Sequence, residues 1–243
     1  MKSRLIIAMT LLTLIFGGSL IVSATPSTII WIPSVDFQAY KSFHFGIDNY
    51  SLDYKKGIAG SGTAYPTDLG LTVGILPFTN VQAEVGVDYM TPQRSPFLLN
   101  AKIGVPEGAL SEWSPALAIG GFGFGFQKNV TDLNILYGIT GKTFPVIGRI
   151  EIGYYTGNST LLTDLSSGAA DNSGVLLSWD RQITEISENL WLAIDYQGGK
   201  CALGALSYGF AWSFSKNVSV IFARDVFNAD VPSAFTMQLD INI

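Results

Sequence analysis

Cysteine is almost absent from this chain. Cys201 stands alone, so no disulfide forms within it, and no Cys-x-x-Cys-His sequence exists to attach a haem covalently. Histidine is reduced to His44, which alone could serve as an imidazole base or ligand. Charge is sparse at 14% of residues, and the 14 Lys and Arg are outnumbered by 19 Asp and Glu with no basic cluster. That balance argues against nucleic-acid binding. Beyond residue 24, no run approaches the ~18 apolar residues of a membrane-spanning helix. Yet 48% of the chain is hydrophobic and glycine contributes 26 residues. A chain this apolar without an apolar run must disperse its hydrophobic residues in a pattern.

The one continuous apolar stretch opens the sequence. Lys2 and Arg4 precede the apolar Leu5–Phe16, and Val22-Ser23-Ala24 ends it with a small-x-small site. This order is that of a secretory signal peptide covering residues 1–24, cleaved after Ala24. Thr25 follows rather than Cys, which excludes a lipoprotein signal. The alternative of a membrane anchor is opposed by Gly17, Gly18 and Ser19, and by the lack of a charged stop. Residues 25–243 then constitute one domain. Residues 25–41, with Trp31 and Pro33, precede the first confident strand and read as a periplasmic lead-in, an extra strand or a plug.

The pattern in the rest is period two. Val81, Ala83, Val85, Val87 and Tyr89 alternate with Gln82, Glu84, Gly86 and Asp88. Phe235, Met237, Leu239, Ile241 and Ile243 alternate with Thr236, Gln238, Asp240 and Asn242. Such alternation sets one face in an apolar medium and the other in a polar one. Similar segments recur near 42–51, 68–76, 97–105, 116–127, 133–143, 148–156, 175–182, 190–197, 202–214 and 218–225. These predict an all-β, closed antiparallel transmembrane β-barrel of about twelve strands, with 10–14 possible. Short connections such as Pro77–Asn80 and Ser215–Asn217 alternate with the long, polar Tyr54–Thr67 and Gly157–Gly174. Short turns on one side and long loops on the other belong to such barrels. A soluble sandwich or lipocalin-like barrel would carry Lys and Glu on its outer face. Here the polar face is mostly Gly, Ser, Thr, Asn and Asp, while the other face is large: Leu206, Tyr208, Phe210, Trp212 and Phe214.

On these residues the chain resembles the bacterial outer-membrane β-barrel superfamily, from the signal peptide through 42–243. The last strand, Phe235–Ile243, resembles the C-terminal signal read by the barrel-assembly machinery, although it ends on Ile243 where that family usually has Phe. More narrowly, Phe43–Tyr50 and Val175–Asp180 resemble barrels of anaerobic deltaproteobacteria, a likeness that brings no activity with it. The resemblance implies outer-membrane lipid and the assembly machinery as partners, and residence in the bacterial outer membrane.

Alternation points eleven ionisable residues into the lumen: His44, Asp48, Glu84, Asp88, Lys102, Lys142, Arg149, Glu151, Asp180, Asp195 and Asp240. They either pair across strands to fill a closed core or line a narrow, mildly cation-favouring passage. Twelve strands fall between barrels that side chains fill and barrels that leave channels. The preferred expectation is a porin-like passive channel for small polar solutes or ions. A closed structural or interaction barrel is the alternative. A lipid hydrolase is the weakest reading: Ser42-Phe43-His44 has a Ser–His spacing, but in reverse order and facing the lumen. No enzyme chemistry, cofactor or metal is expected, and oligomeric state is not read from the sequence. Gly120–Phe126 contains a formal Gly-x-Gly, but no helix follows, and it reads as a strand with Phe toward lipid.

Overall fold

The computed structural model describes residues 27–57, 61–64 and 66–243. The expected signal peptide lies outside them. Among the described residues no helix is long and apolar enough to cross a membrane. Twelve strands do so instead: β1 (Phe43–Leu52), β2 (Thr67–Gly74), β3 (Gln82–Thr91), β4 (Phe97–Val105), β5 (Ala116–Gly125), β6 (Ile135–Phe144), β7 (Gly148–Thr156), β8 (Ser173–Gln182), β9 (Leu190–Gln197), β10 (Ala205–Ser215), β11 (Val218–Phe227) and β12 (Ala234–Asn242). Each pairs antiparallel with its chain neighbours, and β1 closes on β12. Closure runs from His44↔Asn242 to Leu52↔Ala234, and the Phe43 and Ile243 main chains exchange hydrogen bonds of 2.8 Å at the seam. No edge is left unpaired, which is what lets a sheet sit in hydrocarbon.

Alternation sorts the side chains as expected along most strands. On β10, Leu206, Tyr208, Phe210 and Trp212 point out and remain 37–46% exposed, while Ala205, Ser207, Ala211 and Ser213 point in and are buried. Ile119, Ile152 and Tyr154 extend the same outer belt. An exposed apolar belt around a closed barrel is a lipid-facing surface. The two longest connections, 53–66 and 157–172, lie at one end of the barrel.

Two strands depart from the expected sorting. On β5 a register shift opposite Leu99 and Ala101 inserts one residue, with Gly123 at φ +68°. A bulge of this kind resets the parity. Phe122, before the bulge, faces inward with Ala116 and Ala118 and lies against Tyr137, while Phe124, after it, faces outward beside Leu99 and Phe43. The expectation that every Phe of this run faces lipid is corrected accordingly. On β6 the large residues Ile135, Tyr137 and Ile139 point inward and Gly138 points out, reversing the small-inside rule.

The reason for β6 is inside the barrel. Residues 27–41 enter the lumen. Ser27–Ser34 form a hairpin, closed by a Thr28↔Pro33 bridge and by the Ser34 N–H donating to the Ser27 carbonyl at 3.1 Å. Its stem descends to the short-turn end, where Tyr40 bridges Gly74 and Lys41, at φ 64°, turns the chain into β1. Ile29, Ile30, Ile32 and Val35 are at most 2% exposed, packed on Ile135, Tyr137, Ile139, Trp191, Ala211 and Ile221. Each such burial contributes about 2 kcal/mol. The β5–β11 side of the lumen is thus a packed core, in which the buried carboxylates Glu151, Asp180, Asp195 and Asp225 stand among apolar side chains.

Gly74 is what lets the stem lie against the wall. A Cβ there would come within 2.1 Å of the Ala39 carbonyl oxygen and 2.4 Å of that of Gln38. Gly74→Ala must push residues 38–40 off β2, at a cost of about 1–3 kcal/mol. Faster amide exchange at Lys41, whose N–H donates to the Gly74 carbonyl at 2.9 Å, is the expected signature.

Candidate functional site

Lys142 departs from the expected lumen face: it stands opposite the exposed Ile150 and pairs with Glu107 in the turn after β4. The structure divides the other ionisable residues expected in the lumen into two groups. One group holds the hairpin. Asp195 on β9 presents Oδ2 to three consecutive backbone N–H groups, those of Ile30, Trp31 and Ile32, at 2.8, 2.8 and 3.4 Å. Glu151 on β7 accepts from the Val35 N–H at 3.4 Å, and Glu84 on β3 from the Gln38 N–H at 2.7 Å. Lys102 on β4 donates to the Ser34 carbonyl at 3.3 Å and to that of Ser27 at 3.4 Å. Near the short-turn end, Arg149 gathers Asp36 of the stem, Glu151 at 3.1 Å and Asp180 at 2.8 Å. The Trp191 indole donates to the other Asp180 oxygen at 3.0 Å. Main-chain groups taken into a barrel must find partners there, and these side chains supply them.

The second group lines the space that the hairpin leaves. A cavity of about 210 Å³ lies between the hairpin and β1–β6 and β12. His44, Asp48, Asp88 and Asp240 line it, as do Glu84 and Lys102. Its floor is closed on the short-turn side. Glu84 and Lys102 pair at 3.1 Å with both side chains at most 4% exposed, and His44 Nδ1 meets the Asn242 side-chain oxygen Oδ1 at 3.2 Å. Gln38 donates to the same Asn242 oxygen at 3.0 Å. Asp48, Tyr50, Asp68 and Asp88 sit on the strand halves nearer the long loops, so the cavity is a cup below them.

Several contributors were not visible as site residues in the sequence. Asp68 and Asn100 join the cavity wall, and Gln238 reaches across to the Ile30 carbonyl at 2.9 Å. Asp225, fully buried on β11, is a further inward carboxylate. Trp31 at the hairpin tip donates its indole N–H to the Leu203 carbonyl at 2.7 Å and stacks edge-on against Tyr50 and Phe227. The signal for this was the unalternating Ile29-Ile30-Trp31-Ile32 run, which suits neither lipid nor a polar lumen. Among the described residues, no group of three or more His, Cys, Asp or Glu is placed to hold a metal ion.

Outside the membrane-spanning strands, the loops carry their own fixed charges. Glu107, in the turn after β4, accepts from Lys142 at 2.9 Å and from the Thr143 hydroxyl at 2.7 Å. Burial pushes its carboxyl up, but those hydrogen bonds together hold it below the usual range. Asp164, in the loop after β7, accepts from the hydroxyl and the N–H of Ser166 and from the Ser167 N–H. These bonds lower it from 3.8 to about 2. A depressed carboxylate contributes stability above its unfolded pKa, and that contribution is lost as pH falls through the folded one. The turn at 164–168 is therefore expected to persist at pH 4 and to loosen as pH approaches 2. The Asp164 carboxyl ¹³C shift measures this directly, and a midpoint near 3.8 would contradict it.

No family model matches the sequence, and no curated protein matches it. Solved structures do match in fold. A KdgM porin superposes with a TM-score of 0.53 at 5% identity, over 82% of this chain and 98% of that one. An outer membrane channel from Pseudomonas putida F1 gives 0.51 at 11% identity, over 91% of this chain and all of the other. KdgM porin in complex with disordered oligogalacturonate gives 0.50 at 7% identity, covering 82% and 98%. The chain is a closed twelve-stranded antiparallel barrel whose fold is similar to that of outer-membrane porins.

Proposed function

We propose that the protein is a porin-like passive channel of the bacterial outer membrane for small polar solutes or ions, with its bore set by the N-terminal hairpin. The observation that carries this reading is the polar, carboxylate-lined cavity retained beside the hairpin, opposite the side that the hairpin's apolar residues pack. The hairpin fills the β5–β11 half of the lumen, and the β1–β4 half keeps a carboxylate-rich wall. Such a wall concentrates cations and repels anions. One of the similar porins was solved with oligogalacturonate. Five carboxylates against Lys102 and His44 disfavour a polyanionic saccharide here.

On this reading residues 1–24 are removed after Ala24, and the final strand Phe235–Ile243 engages the barrel-assembly machinery. The outer belt sits in outer-membrane lipid. The likeness of residues 43–50 and 175–180 to barrels of anaerobic deltaproteobacteria supports the same placement. No enzyme chemistry is assigned. His44, the one candidate base, is held between Asn242 and Asp240 at the cavity floor, away from the lipid face.

The test is reconstitution in a planar bilayer. Small discrete current steps at neutral pH are expected, limited by the Glu84–Lys102 floor. No current in either polarity, from the intact barrel and from one lacking the hairpin, defeats the channel reading and leaves a closed interaction barrel.

A further inference from the structure

We propose that the cup beside the hairpin is a binding site for a small aliphatic ammonium ion. The proposal deepens the channel reading by naming the class of solute that dwells in the passage. Its first support is register. Asp48 on β1 stands directly opposite Asp68 on β2, both lining the cavity. Like charges directly opposed across a strand pair destabilise a sheet. A cation held between them reverses that sign.

The second support is the next row of the wall. There Asp240, Gly46, Gly70 and Asp88 stand in register across β12, β1, β2 and β3. The two glycines open the space between the two carboxylates. Asp240 is 2% exposed, its Oδ2 has no hydrogen-bond partner, and its other oxygen lies 3.5 Å from His44 Nε2. Lys102, the nearest built-in cation, is committed to Glu84 and to hairpin carbonyls.

The third support is the remainder of the lining. The rings of Trp31, Tyr50, Phe122 and Tyr137 contribute to the same cavity. Aromatic faces attract organic cations, most strongly where water is scarce. The volume of about 210 Å³ suits a ligand of about six non-hydrogen atoms. The carboxylates come from four different strands, and none of them belongs to a metal-holding cluster. That spacing fits an elongated or diffuse cation better than a bare metal ion.

The experiment is calorimetric titration of the full chain in detergent micelles with 1,4-diaminobutane, and separately with tetramethylammonium chloride. Sodium chloride at equal ionic strength is the reference. Saturable binding of the diamine is expected, weakened at least tenfold in Asp48→Asn/Asp68→Asn. Phe122→Leu, which keeps every carboxylate, is expected to weaken it severalfold and covers the case in which the double variant does not fold. No saturable heat with either amine overturns the proposal, as does a response equal to that of sodium chloride or an affinity unchanged in both variants. A barrel that binds the diamine yet passes no current keeps this site and loses the channel reading, so the two failures are separable.

Discussion

Deletion of residues 27–38 is expected to raise single-channel conductance about tenfold, because the hairpin and its stem occupy a lumen that twelve strands would otherwise leave partly open. The deleted segment contributes no strand to the closed ring, and every ladder from β1↔β2 round to β12↔β1 remains. The barrel should therefore still assemble. It should also be less stable to heat, since Ile135, Ile139, Trp191 and Ile221 lose the apolar partners that cover them. The Glu84–Lys102 pair loses its hairpin contacts as well, freeing the floor of the cup. Liposome swelling in small sugars gives an independent reading of the same change. An unchanged conductance in a folded deletion variant would mean that the hairpin does not set the bore.

Asp195→Ala is expected to loosen the hairpin tip more than any other single lumen substitution. One carboxylate oxygen there serves three consecutive backbone N–H groups. Alanine offers none, and buried donors without acceptors cost about 1–3 kcal/mol each. A total near 3 kcal/mol corresponds to about a hundredfold loss of amide-exchange protection. The loss should be confined to Ile30, Trp31 and Ile32, with the β9 and β10 amides unaffected. Asp195→Asn keeps an acceptor oxygen and should lose far less. Equal protection in Asp195→Ala and the native chain would show that the apolar contacts of Ile29, Ile30 and Ile32 alone hold the tip.

The barrel was legible in the sequence because lipid and a polar interior impose opposite demands on adjacent residues. Phe235–Ile243 and Val81–Tyr89 carry that conflict in every residue, and both are strands in the structure. Where a second demand enters, the pattern weakens. Tyr137 and Ile139 point inward because the hairpin, rather than water, faces them, and nothing in β6 itself announces that partner. Phe122 shares the inward parity of Ala116 and Ala118, and only beyond the extra residue at Gly123 does Phe124 turn outward, a change of parity without a change of composition. The inward ionisable residues were likewise visible as a set. Their division into hairpin holders such as Asp195 and cavity liners such as Asp48 was not, because it depends on where residues 27–41 run.

The most direct test of an acid-walled passage beside a fixed hairpin is the zero-current potential of the reconstituted barrel across a potassium chloride gradient. The carboxylates of Asp48, Asp68, Asp88 and Asp240 predict a potential of the sign given by cation preference. It should move toward zero in Asp48→Asn/Asp88→Asn, and screening should weaken it as salt rises. A potential of anion-selective sign, or one indifferent to both substitutions, would contradict the account.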